Sequence, residues 1–375
     1  MKKSDRNSNV EILRIIAILL IIVSHFATHG FLLQDSSIPF SYNKILLNLF
    51  QFGGGIGVNL FVIISSWYML NSKFTFKKLM KICGDTWFYA IIIYLLFAFV
   101  LTPTTNLNNK TIIYTLFPIL LKRNWFITDY ILLMLFTPIL NLLIKNIDKQ
   151  TYQKLLIGLF SISCFIAGFI HQILPEISAN LSWFIILYLL IGYIKNYVDL
   201  KFTKSTHNLR VSIIMILVCF LSVVIFNLLG YKLNSGFLLN HAATFSHYNN
   251  IIVLILSVEL FLFFIKLPIF NNSIINIVSS TTIGIYLIHD NTLMRPYIWN
   301  SIFNVQSFYY NKFMFLYMLF SVSTVFIICS IIDIIRQNTI EKVWMQFMNH
   351  LECGIVLNIK NKLININDKI IKFLV

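Results

Sequence analysis

The chain has 375 residues, 58% hydrophobic and 11% charged, with 35 Phe and 17 Tyr; soluble domains carry about 25% charged residues, so a soluble globular protein is excluded. The formal net charge of +15 falls in loops and forms no basic stripe on a polar surface, which excludes nucleic-acid binding and leaves the charge to set membrane topology. The five cysteines, Cys83, Cys164, Cys219, Cys329 and Cys353, make no CxxC pair, so a zinc framework or disulfide scaffold is excluded in favour of buried apolar thiols.

The first apolar segment covers residues 10–27. No small-residue cleavage site follows it, so it reads as a retained span rather than a signal peptide. It carries Arg14 and His25. Eleven helical steps come to about three turns plus 20°, so both side chains share one helix face, roughly 16 Å apart along the axis. Ionisable groups at two depths of a span are costly and mark function. Glu11, three residues before Arg14, pairs with it on the helix. A purely structural reading has Arg14 snorkel to the interface, with Glu11 offsetting its charge.

Further spans are predicted over 58–70, 85–101, 125–144, 153–170, 181–196, 211–229, 249–266, 274–289 and 313–335, ten in all. Apolar stretches at 45–52 and 111–121 are too short to cross and read as interfacial or re-entrant helices. With the N-terminus inside and strict alternation, inner segments hold 21 Lys and Arg and outer segments 7, with Arg14 inside the first span. This asymmetry puts both termini in the cytoplasm. It sets Arg14 near the inner side and His25 near the outer side, together with His29, His171, His241, His247 and His289. The fold class is therefore an all-α polytopic membrane protein. Residues 1–335 form one transmembrane domain, and 336–375 form a basic amphipathic cytoplasmic tail on the inner leaflet.

Several motifs add chemistry. Gly53-Gly54-Gly55-Ile56-Gly57 leads into the second span and permits either close approach to a ligand or a flexible helix start. Ser65 lies further along that span. Lys122-Arg123-Asn124-Trp125-Phe126 opens the fourth span, where Arg123 and Trp125 suit an anionic or sugar-bearing ligand or simply anchor the interface. Asp129, one turn deeper, is placed to pair with Lys122 or Arg123. Glu259, near mid-membrane in the eighth span, needs a partner or a proton; it could partner Arg14, orient a catalytic group or form a structural pair inside the bundle. His289, in Tyr286-Leu287-Ile288-His289-Asp290, is either a second base or a membrane-edge histidine.

Taken together, Glu11-x-x-Arg14 with the gap to His25, the glycine run into Asn59-Leu60-Phe61 and Ser65, Trp125-Phe126 followed by Pro138, and Tyr286-Leu287-Ile288-His289 resemble acyltransferase family 3, a family of multispanning bacterial membrane proteins. The resemblance covers about residues 8–335. It implies transfer of an acyl group, usually acetyl, from cytoplasmic acyl-coenzyme A to a sugar hydroxyl of an envelope polysaccharide or lipid-linked precursor. It implies catalysis by His25 and donor handling by Arg14 with Glu11. Acceptor or supporting roles fall to Ser65, Arg123, Trp125, Asp129, Glu259 and His289, with no metal. Acyl-coenzyme A is then a co-substrate rather than a bound cofactor. The partners are the glycan and membrane lipids, and the location is the bacterial cytoplasmic membrane. The sequence departs from the family at Ser66, usually glycine, and at Asn59, often aspartate.

The chemistry is consistent with that placement. An imidazole can take the proton of a sugar hydroxyl as general base, with a covalent acyl-histidine as the variant route. Arg14 lies too far along the helix to serve as oxyanion donor and suits the phosphates of coenzyme A. A transporter or flippase of lipid-linked sugars is the reading from another class, since depth-spread charges also line pathways. A scaffold of a glycan-assembly complex is a third.

Overall fold

The computed structural model describes residues 6–31, 41–72, 74–101, 107–166, 180–202 and 204–350. Among these the regular structure is helical throughout, with no strand. In chain order the helices are α1 (Ser8–Gly30), α2 (Tyr42–Met69), α3 (Phe76–Phe99), α4 (Asn109–Leu116), α5 (Trp125–Asn146), α6 (Lys149–Phe160), α7 (Asn180–Tyr197), α8 (Ser205–Lys232), α9 (Ile251–Ile265), α10 (Ser273–Ser280), α11 (Thr282–His289) and α12 (Met314–Asn338). Starts are capped by short polar side chains. Asn7 accepts from the Asn9 amide, Ser41 from Lys44, and Asp148 from Gln150 and Thr151, each satisfying amides that have no partner inside the helix.

Among the described residues, seven stretches are long and apolar enough to cross a membrane, against ten read from the sequence: α1, α2, α3, α5, α8, Gly236–Ile265 and α12. The protein is thus an all-helical membrane protein. The other three predicted spans fall short for different reasons. The stretch 153–170 becomes the 12-residue α6 and a π-helical turn at Ser161–Ile166, and its remainder lies outside the described residues. The stretch 181–196 is α7, 18 residues long, below the ~20 a full span needs. The stretch 274–289 is broken at Thr281 into α10 and α11, eight residues each. His171 and Cys353 also lie outside the described residues, and Cys83, Cys164, Cys219 and Cys329 are free thiols.

The glycine run is neither a loop nor a flexible start. It lies inside α2, which also absorbs the segment 45–52 expected to stand apart. A Cβ on Gly53 would sit 2.3 Å from the carbonyl oxygen of Leu20, and one on Gly57 2.6 Å from that of Ala17. Small residues let two helix backbones approach closely where lipid offers no hydrophobic contrast. α1 consequently sits against α2 and also touches α9, α10, α11 and α12. It packs against five other helices of the bundle, which lets one 23-residue element present groups to different surroundings at its two ends.

At the C-terminal end, α12 runs through Asn338, so Arg336, expected to open the tail, is buried in the last turn of the bundle. Residues 340–350 are helical and pack on the start of α3. The Trp344 indole donates to the Met80 carbonyl (3.3 Å), Lys77 donates to Asn349 (2.5 Å), and Lys81 pairs with Glu341. Residues 351–375, most of the expected tail, lie outside the described residues.

Candidate active site

His25, three-quarters of the way along α1, faces the end of α11. Its Nδ1 lies 3.0 Å from Nε2 of His289 and 3.4 Å from Oδ1 of Asp290. His289 has no solvent exposure, and its Nδ1 lies 2.6 Å from the Ile285 carbonyl oxygen. A carbonyl only accepts, so in neutral His289 the Nδ1 carries the proton and the Nε2 carries the lone pair. That lone pair must accept from His25, which places the His25 proton on Nδ1 and leaves its Nε2 unprotonated. Asp290, buried, is clamped by Arg295: Nε donates at 2.9 Å and Nη2 at 2.8 Å to the same oxygen, and Nη2 also reaches the Asp290 carbonyl at 3.2 Å. His29, one turn beyond His25, lies with its ring centroid 4.8 Å away.

His25, His29 and Asp290 offer potential metal-ligand atoms all within 4.8 Å of one another. The Asp290 carboxylate already has a counter-charge in Arg295, and the His25 Nδ1 proton is committed to the His289 and Asp290 side. The donor set thus fits a hydrogen-bonded chain, Asp290 and His289 around His25, better than it fits a cation site.

His25 borders a cavity of about 220 Å³, which Ser24, Gly54, Trp125, His247, Tyr286 and Asp290 also line. Its walls are aromatic on one side: the Trp125 ring stacks on Tyr248 at 6.1 Å between centroids. The Tyr286 hydroxyl is buried without a well-formed hydrogen bond. Tyr248 and Trp183 are fixed by one side chain, Asn59. Its amide accepts from the Trp183 indole (2.8 Å) and donates to the Tyr248 carbonyl (2.8 Å). A carboxylate can do only the first, so the asparagine in place of the family's frequent aspartate fits this junction.

Arg14 borders a second cavity, about 270 Å³, with Ser65, Lys81, Asp85, Tyr130 and Arg336 among its lining. Arg14 Nη1 pairs with Glu11 (3.0 Å), and Glu11 also accepts from the Ser279 hydroxyl. Beyond it lies a buried ionic network. Arg336 pairs with Asp85, with Asp333 (2.8 Å) and with Glu341 (3.1 Å), and the Tyr89 hydroxyl donates to Asp333 (2.6 Å). Two further cations, Arg6 and Lys81, border the same cavity.

The structure therefore brings His25 and Trp125 together at one cavity, with His289 bonded to His25, and Arg14 and Ser65 at the other, with Glu11 held beside Arg14. It buries His289, so this histidine is not a solvated one. It does not gather the rest. Glu259 does not meet Arg14. It accepts from Asn208 (2.5 Å), which in turn accepts from Lys266 (2.8 Å), a relay between α8 and the end of α9. Asp129 is paired with Lys122 (3.2 Å) and borders neither cavity, and Arg123 lies over the Tyr114 ring at 4.6 Å. Asp290 and Arg295 were missed by the sequence reading. The signal available was an aspartate directly after His289 and an arginine five residues on, which only the turn between them converts into a clamp.

A polytopic helical membrane protein whose first helix presents a partnered histidine to one cavity and a paired arginine to another is the class that fold and site define. The family model described as acyltransferase domain matches residues 7–333. The chain belongs to that acyltransferase family, and it is an acyltransferase. Neither a curated protein nor a solved structure matches it.

Proposed function

We propose that this protein is a membrane O-acyltransferase of the bacterial cytoplasmic membrane, with both termini in the cytoplasm. It moves an acetyl group from cytoplasmic acetyl-coenzyme A to a hydroxyl of a cell-surface polysaccharide or lipid-linked sugar. The observation that carries this is the proton arrangement at His25: an Nε2 with a free lone pair, held by an Nδ1–H donated to His289, with the Asp290 carboxylate 3.4 Å from the same nitrogen. A sugar hydroxyl is a poor nucleophile until its proton is taken, and a positioned imidazole does that in the transition state.

In this reaction the donor enters from the side of Arg14, whose fixed charge suits a phosphate of coenzyme A. The acceptor ring lies in the other cavity against Trp125, whose face suits the C–H surface of a sugar. His25 Nε2 takes the hydroxyl proton as the oxygen adds to the thioester carbonyl. The Tyr286 hydroxyl is the donor best placed among the cavity-lining residues to meet the developing oxyanion. When the intermediate collapses, the carbon–sulfur bond breaks and the proton on Nε2 passes to the departing thiolate. Asp290 stabilises the imidazolium between these steps, and Arg295 keeps that carboxylate oriented.

The test is label transfer from acetyl-coenzyme A to envelope glycan by the purified protein. His25→Ala is expected to abolish transfer; a variant that moved label as well as the wild type would remove His25 from the reaction.

A further inference from the structure

The two cavities abut: five residues, Phe61, Phe126, Ile127, Thr282 and Ile283, line both and stand between them. Phe61 and Phe126 form the centre of this partition, edge to face with ring centroids 6.1 Å apart, and both are buried. Phe126 is further packed against Phe184 (5.4 Å), Tyr286 (5.6 Å) and Tyr130 (6.0 Å). The one polar member, Thr282, donates its hydroxyl to the Ser279 carbonyl (2.9 Å) and offers no free donor to water. The partition is thus aromatic, aliphatic and internally satisfied. Water has nothing to bind there, and filling such a gap with water without polar partners is unfavourable.

This has a consequence that rests on the acyl-transfer reading above. A donor held near Arg14 has its thioester on the wrong side of the partition from His25. We infer that Phe61 and Phe126 are specificity-determining residues. They form an apolar gate that yields only to the thioester-bearing arm of the donor and closes around it, and so decide that the acyl group meets the acceptor hydroxyl rather than water. Side-chain rotation is sufficient, because the rings have only two torsions each and contact other rings rather than hydrogen-bonded groups. With the gate closed, the His25 cavity is isolated from the Arg14 cavity. With the donor through it, the arm fills the opening and excludes water from the reacting carbonyl. The side reaction suppressed is hydrolysis: a water oxygen adds to the carbonyl, the carbon–sulfur bond breaks, and free acid and coenzyme A thiol leave.

The experiment measures thiol release from acetyl-coenzyme A by the purified full-length protein in vesicles, without acceptor, beside label transfer to envelope glycan. Phe61→Ala and Phe126→Ala are expected to raise acceptor-independent thiol release roughly tenfold and to lower the KM for acetyl-coenzyme A, since the closed state no longer competes with donor binding. If an alanine variant cannot be purified folded, Phe61→Val and Phe126→Val carry the same comparison. Alanine variants that still transfer label but release no more thiol than wild type would overturn the gate and leave the acyl-transfer reading standing. A wild type that neither releases thiol nor transfers label would overturn both.

Discussion

Replacing His289 with Phe removes one nitrogen acceptor while keeping a ring in a position that has no solvent exposure. The loss at His25 can be worked from its partners. In the resting enzyme the 3.0 Å contact from His25 Nδ1 to His289 is a neutral hydrogen bond, worth about 0.5–1.5 kcal/mol. As His25 takes the acceptor proton it becomes an imidazolium, and the same bond becomes charge-assisted, worth about 1.5–3 kcal/mol. Only the difference between ground and transition state accelerates the step. That difference is about 1–1.5 kcal/mol, or roughly tenfold in kcat. Asp290, 3.4 Å from the same nitrogen, remains as an acceptor and limits the loss. The assay is acetyl transfer at saturating donor, with the KM for acetyl-coenzyme A and the thermal melt measured alongside. The expectation is a lower kcat, an unchanged donor KM and a melt displaced by no more than the two hydrogen bonds of His289, to His25 and to the Ile285 carbonyl. An unchanged kcat in a folded His289→Phe protein would refute the proton arrangement from which the mechanism starts.

Other substitutions probe neighbouring links. Asp290→Asn should cost more in kcat, because the carboxylate that stabilises the His25 imidazolium is lost while Arg295 loses its counter-charge; a milder loss than His289→Phe would contradict this. Arg14→Ala should raise the KM for acetyl-coenzyme A with less effect on kcat at saturation, and an unaltered KM would reject its donor role. Arg336→Ala should destabilise the folded protein by about 3–5 kcal/mol by leaving Asp85 and Asp333 buried without a cation, read as a lower melting temperature in detergent; an unshifted melt would argue against the network.

The parts of the site legible in the sequence were those fixed by one helix. Arg14 and His25 share a face because of their spacing alone, and Glu11 reaches Arg14 because three residues make one turn. His289 was visible as a polar residue ending an apolar run, although its partner was not. Asp290 and Arg295 were illegible because a carboxylate beside a turn has no meaning until α11 is docked against α1. Glu259 was legible only as a carboxylate in an apolar segment that demands a partner, either a functional group or a structural pair inside the bundle, and the structure supplies the latter in Asn208 on α8. Hydropathy reads more spans than the described helices supply because it averages over breaks. Residues 274–289 are apolar on average, yet Ser279-Ser280-Thr281-Thr282 interrupts them and the helix is interrupted at Thr281. The reverse error occurred in α2, where four glycines in five residues suggested a break, and the close approach of α1 holds the helix together instead.

The helix that carries both Arg14 and His25 is made first and completed last. His25 and His289 are separated by 264 residues, which at roughly 5–20 residues per second is an interval of tens of seconds during synthesis. Through that interval α1 lies in the bilayer without α11. Arg14 is provided for from the outset, because Glu11 is synthesised three residues ahead of it and travels on the same turn. His25 has only His29 of its own helix, and the next element to arrive is α2, whose glycines seat it directly on α1. A chain stopped before residue 289 would therefore contain an inserted, well-packed α1–α2 hairpin and a histidine with no acceptor to orient it. Assembly of the membrane domain and activation of its base are separate events, and the second waits for the last third of the chain.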